Sequence, residues 1–106
     1  MYVQCVRFRL KPGSLPRVRE WAAELTKRRD EVMITLGEET VRVESAFLES
    51  GASGDFIVYY MRVEDHATSQ SAASTSQHPI DAYHRAFMHD VIAERTSLEL
   101  LVDFER

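Results

Sequence analysis

From Tyr2 to Leu10 the chain alternates with a period of two. Tyr2, Val6, Phe8 and Leu10 point one way, against Val3, Cys5, Arg7 and Arg9, which predicts a β-strand. Lys11-Pro12-Gly13 ends it. The period then lengthens: Val18, Trp21, Ala22, Leu25, Val32 and Leu36 form an apolar stripe at helical spacing. Ser14 stands where an N-cap belongs, Pro16 lies in the first turn, and Gly37 is a C-terminal stop. One helix is predicted between them. Asp30 and Glu31 directly follow the basic run Lys27-Arg28-Arg29, which reads as a solvated face.

Two further strands follow. In Val41 to Leu48, Val41, Val43, Ser45 and Phe47 share a face, and Arg42, Glu44, Ala46 and Leu48 share the other. Phe56 to Val63 is apolar on both faces, the mark of a central strand with something packed on each side. The segment Ser50 to Asp55 holds Gly51 and Gly54, suited to a hairpin connection. Asp65 is placed to cap a short helix, Ser74 to Gln77 is a polar break, and Pro79 opens a helix from about His78 to Glu94. Ile80, Tyr83, Phe87 and Val91 form its stripe, widened by Met88 and Ile92. Leu98, Leu100, Val102 and Phe104 alternate with Glu99, Leu101 and Asp103, predicting a last strand.

The order is β-α-β-β-α-β, with a short extra helix before the second main one. This is the ferredoxin-like α+β arrangement: a four-stranded antiparallel sheet with the main helices on one face. Residues 1–106 are expected to form a single domain. The other sheet face carries half of a doubly apolar strand and is left bare. A second copy packed sheet to sheet is the economical cover, so a homodimer is expected.

Composition narrows the function classes. Apolar residues make up 44% and charged residues 28%, with a formal charge of −4. That balance argues against a nucleic-acid partner, which wants a basic surface. No apolar run approaches the ~20 residues of a membrane-spanning helix, and the start shows no signal-peptide pattern. Cys5 is the sole cysteine, too few for an intrachain disulfide or a Cys-rich metal site. A cytoplasmic location is expected. Cys5 itself reads as a small buried hydrophobe.

The segment Phe87-Met88-His89-Asp90-Val91-Ile92, followed by Leu98 to Phe104, and the segment Ala46-Phe47-Leu48-Glu49 resemble stretches of the L-rhamnose mutarotases. With them the chain resembles the dimeric α/β-barrel superfamily, which also includes antibiotic-biosynthesis-type monooxygenases and stress-responsive barrel proteins. The resemblance implies a dimeric α/β barrel and an uncharacterised small family on that fold. It departs at the chemistry. Those mutarotases carry Tyr and His one turn apart on the first helix, whereas here the comparable positions fall near Val18 and Ala22. Their second-helix aromatic pair corresponds roughly to His84-Arg85.

Four residues stand out as candidate site groups. His84 lies at the margin of the second helix's stripe, where a neutral imidazole could serve as a general base; the alternative is a helix histidine that packs locally. Arg7 shares a strand face with Arg9; it would hold an oxygen anion, or else pair with Asp103 or Glu99. Tyr59 and Tyr60 leave the central strand on opposite faces, so one faces the helices and the other the dimer interior. His84, Arg7 and one tyrosine are expected to line one concavity. His84 and His89 are out of phase for a metal pair, and no metal is expected. No nucleophile elbow or phosphate loop is present, so no cofactor is expected. Three functions remain open: a cofactor-free isomerase or monooxygenase acting on a small molecule between helices and sheet, a non-catalytic ligand-binding or stress-associated homodimer, and a pure interaction module.

Overall fold

The computed structural model describes residues 1–106. Strand β1 (Tyr2–Leu10) leads into helices α1 (Leu15–Lys27) and α2 (Arg29–Glu38), then β2 (Val41–Gly51) and β3 (Gly54–Val63). Helices α3 (His66–Thr75) and α4 (Pro79–Val91) precede β4 (Ile92–Ser97). The sheet order is β2-β3-β1-β4, with every neighbouring pair antiparallel. This is the ferredoxin-like α+β fold, with the doubly apolar β3 inside the sheet.

Register sorts the residues of each strand onto two faces. Cys5 pairs with Tyr60, Val6 with Tyr59, Arg7 with Val58 and Phe8 with Ile57. Val6, Phe8, Leu10, Ile57, Tyr59 and Val63 turn toward the helices. There Leu10, Val18, Trp21, Ile57, Tyr59, Phe87 and Val91 form one core cluster. Phe87 is fully buried, and the Trp21 indole lies flat on it with ring centroids 4.5 Å apart and planes 4° from parallel.

Five sequence expectations change. The first helix is two: the chain breaks at Arg28 (φ −100°, ψ 32°), whose guanidinium holds Glu31 at 2.9 Å and Glu24 at 3.7 Å. Gly37 does not stop the helix, which runs on to Glu38. The turn comes at Thr40 instead, a non-glycine residue at φ 56°. Its hydroxyl accepts from the Asp65 N–H at 3.0 Å and donates to the Asp65 carbonyl at 3.1 Å. Such a backbone persists only where its surroundings hold it.

Ser14 does not cap α1 with its side chain; its hydroxyl donates to the Lys11 carbonyl at 2.7 Å. Asp65 does cap α3, accepting from the Thr68 N–H at 3.0 Å. In β2 the register shifts between Val41 and Val43. This bulge turns Val41 to the buried side and leaves Val43 on the open one.

The largest change is at the end of the chain. α4 stops at Val91, and the edge strand is Ile92–Ser97. Leu98 to Phe104, the segment with strand alternation, lies outside the sheet beyond a last backbone bond from Leu98 N–H to Cys5 carbonyl at 2.9 Å. The edge strand is held by backbone bonds to β1, so it needs no alternating side chains. Leu101, Val102 and Phe104 stay exposed.

Candidate functional site

A cavity of about 280 Å³ lies between the helices and the sheet. Its floor comes from Val6 and Phe8 of β1 and Tyr59 and Met61 of β3; Leu25, Val32 and Leu36 of α1 and α2 form one wall, and Ile80, His84 and Met88 of α4 another. Into this apolar shell project Glu39, Glu44, Tyr59, Asp81 and His84, with Arg95 also in the lining. A second cavity of about 270 Å³ shares Leu25, Val32, Leu36, Glu44 and Tyr59 with the first.

Each polar group is positioned by its element. Glu39 is the C-cap of α2, fixed from the other side by the Thr40 turn. Glu44 pairs in register with Met61, and Tyr59 with Ala46 and Val6, which sets both on the helix-facing side. Asp81 and His84 are three apart on α4 and so share a helix face. Asp81 accepts from the Ser76 hydroxyl. The Trp21 indole N–H donates to His84 Nδ1 at 3.1 Å.

The setting displaces the protonation equilibria of Glu39, Glu44, Tyr59 and His84. Burial first, then Asp81, Glu44 and Glu38, push the Glu39 carboxyl up to about 7. Burial raises Glu44, with Asp81 adding to it and a hydrogen bond from Tyr59 opposing it. The Tyr59 hydroxyl is raised well above its ordinary value by burial and by Glu44 and Glu39. Burial lowers His84 against the pull of Asp81, and Arg85 adds to the lowering. A carboxyl titrating near neutrality in the same cavity as a histidine whose charging is disfavoured is a recurrent acid/base arrangement.

Glu39 makes stability depend on pH in a definite direction. Its folded value of about 7 lies above its ordinary 4.5. Between those values the folded protein keeps a proton that the unfolded chain releases, so this contribution weakens as pH rises through that window. Glu39→Gln is expected to flatten the slope and to stabilise the protein above pH 7 by roughly 1–2 kcal/mol, solvent screening holding the gain down. Urea unfolding at pH 5 and pH 8 reads this directly. Equal stability of the two proteins at pH 8 would show that the carboxyl is not held in a buried acidic setting.

The structure brings two of the four sequence candidates together. His84 and Tyr59 line the cavity, with ring centroids 6.1 Å apart. Arg7 and Tyr60 are on the opposite face of the sheet, so Arg7 does not share the concavity of His84 and Tyr59. Arg7 stacks its guanidinium 3.6 Å from the Phe56 ring centre and grips Glu49 at 2.9 Å, where Asp103 or Glu99 had been expected. Tyr60 accepts from Arg62 at 2.9 Å, and Arg62 in turn holds Asp103. The other histidines are elsewhere: His66 stacks on Tyr2, His78 meets Glu38 at 2.8 Å, and His89 is exposed. Cys5 is half-buried on the open face. Glu39 and Glu44 escaped the sequence reading because glutamate at a helix end or on a strand is ordinary surface composition. The one available signal was Glu44 on the same face of its strand as Ala46 and Leu48.

The family model of DUF6176, a family of unknown function, matches residues 1–106. The chain belongs to the DUF6176 family. No curated protein matches it. Among solved structures, this DUF6176 chain is similar to an L-rhamnose mutarotase from Formosa agariphila, at 14% identity and TM-score 0.67 over 99% of this chain and 100% of that one. It is also similar to an uncharacterized NIPSNAP domain protein from Burkholderia xenovorans, at 13% identity and TM-score 0.62 over 97% and 95%. Rv0793 from Mycobacterium tuberculosis matches at 18% identity and TM-score 0.57 over 97% of each chain. These likenesses bear out the ferredoxin-like α+β fold. No helix of this DUF6176 protein is long and apolar enough to cross a membrane.

Proposed function

We propose that this DUF6176 protein is a cofactor-free isomerase that moves a proton on a small neutral molecule held between its helices and sheet. The observation that carries this reading is the convergence of Glu39, Glu44, Tyr59, Asp81 and His84 on one largely apolar cavity. A group titrating near pH 7 is the most useful proton carrier at neutral pH, and Glu39 is at about 7. Three carboxyls in one cavity repel an anionic ligand, which points to a neutral hydroxylated or carbonyl compound. The volume of about 280 Å³ suits a small molecule, just under the ~300–1,000 Å³ of typical ligand pockets. Likeness to a mutarotase fits this reaction class. The acid/base groups here come from the end of α2, from β2 and β3 and from α4, with none from α1. The working unit in this proposal is a homodimer formed through the open sheet face.

Neutral reducing sugars, L-rhamnose among them, supply the test. Anomer exchange followed by NMR should be faster with the protein than without it. Glu39→Gln and Glu44→Gln should each lower that rate by about 10²–10⁴-fold, the usual contribution of a positioned acid or base. Shifts of the Tyr59 and His84 signals without turnover of any sugar or carbonyl compound would overturn the enzyme and leave a ligand-binding protein. No shifts and no turnover would remove the small-molecule reading altogether.

A further inference from the structure

The nitrogen that His84 turns to Trp21 restricts what its other nitrogen can do. The indole N–H only donates, and it meets His84 Nδ1 at 3.1 Å. Nδ1 must therefore present its lone pair. In a neutral imidazole the proton then resides on Nε2. Trp21 cannot turn away to release this constraint: it is buried, and its ring lies 4.5 Å from Phe87 in near-parallel contact. The two rings of the pair are inclined 29° to each other, with centroids 5.7 Å apart.

We infer that Trp21 is a positioning residue that fixes His84 as the Nε2–H tautomer, making it a hydrogen-bond donor to an oxygen of the cavity's ligand instead of a base. The inference deepens the proton-transfer reading above. It divides the labour: the carboxyls of Glu39 and Glu44 exchange protons, while His84 stays neutral and holds an oxygen. The ligand class narrows to molecules that present a carbonyl, ring or hydroxyl oxygen as acceptor toward α4.

Charging His84 would set an Nδ1–H against the indole N–H in a buried place. The groups around the ring do not override this. On α4, Asp81 favours the charged form and Arg85 opposes it. Glu44 of β2, Tyr59 of β3, Glu39 after α2 and Arg95 of β4 share the cavity, and Trp21 of α1 is uncharged. Burial still outweighs Asp81.

The test needs no ligand, so it is separate from the fate of the isomerase proposal. Long-range proton–nitrogen correlation spectra of protein labelled with nitrogen-15 histidine distinguish the two tautomers and the charged ring. His84, assigned by loss of its signals in His84→Gln, should show the Nε2–H pattern at neutral pH and keep it to lower pH than an ordinary histidine does. A through-bond coupling should connect Trp21 Nε1 with His84 Nδ1. Trp21→Phe keeps the stack on Phe87 and removes the donor; His84 should then populate the Nδ1–H form and become chargeable at higher pH. An Nδ1–H pattern in the unaltered protein, or the absence of the coupling, would overturn the inference. So would a folded Trp21→Phe protein with an unchanged tautomer. If that variant does not fold, the tautomer and coupling in the unaltered protein decide.

Discussion

Trp21→Ala is expected to cost about 3–5 kcal/mol, the range for truncating a large buried aromatic, and to lower the melting temperature by well over ~10 °C. Trp21 is only 4% exposed and joins three layers of contact. It stacks on Phe87 of α4, meets Tyr59 of β3 with centroids 6.4 Å apart, and donates its N–H to His84. Alanine would remove the aromatic area, leave a void against the fully buried Phe87, and strip His84 of its partner. The first two losses dominate, because the hydrogen bond alone contributes only ~0.5–1.5 kcal/mol. Thermal melts of the two proteins at one pH check this. An unchanged melting curve would mean that α1 does not set this face against the core.

Phe47→Asp is expected to convert a dimer into a monomer. The face of the sheet away from the helices carries Val43 and Phe47 of β2, the latter 61% exposed. Phe56 on the same face is buried only because Arg7 and Arg9 lie over it. Next to this surface runs the segment from Leu98 to Phe104, whose Phe104 is 90% exposed. Its alternating apolar residues lack a partner within the chain beyond the tether of Arg62 to Asp103 and Glu105. Apolar surface gathered this way marks a contact with another chain, and a two-fold axis lets one patch meet itself. The unaltered protein should scatter light at micromolar concentration as twice the chain mass, burying above ~1,200 Å² in total. An aspartate at position 47 would bring a buried, unpaired charge into that contact from each chain. The variant should therefore run at the mass of one chain and stay folded, its melting temperature lowered only by the lost dimer contact, since Phe47 lies outside the core. A single-chain mass for the unaltered protein would sink the dimer.

Site residues were legible in proportion to how unusual their sequence setting was. His84 beside an apolar stripe and Tyr59 on a doubly apolar strand were visible, because a polar group among periodic apolar residues breaks a pattern. Arg7 broke a pattern too, and the structure gives it a different occupation. A guanidinium can flatten on an aromatic ring while reaching a carboxylate, so it needs no cavity. Glu39 and Glu44 broke none. Their character comes from the elements that enclose them and from one another.

By itself the sequence determined the elements that bury one face, because burial imposes a period of two on a strand and 3.6 on a helix. It therefore determined β1, β2, the central β3, the stripes of α1 and α4, the Asp65 cap and the α+β order. Only the tertiary structure decided where burial leaves no trace in the pattern. The edge strand Ile92–Ser97 is chosen by backbone pairing with β1, while the better-patterned Leu98–Phe104 joins no strand beyond the one backbone bond of Leu98. The break at Arg28, where the backbone leaves the helical region, has no mark in the apolar stripe, and the bulge after Val41 comes from its register against Val63. The acidic cavity exists only because residues 39, 44, 59, 81 and 84, from separate elements, come to line one cavity. Burial and mutual repulsion there, absent in the extended chain, bring the Glu39 carboxyl to neutrality.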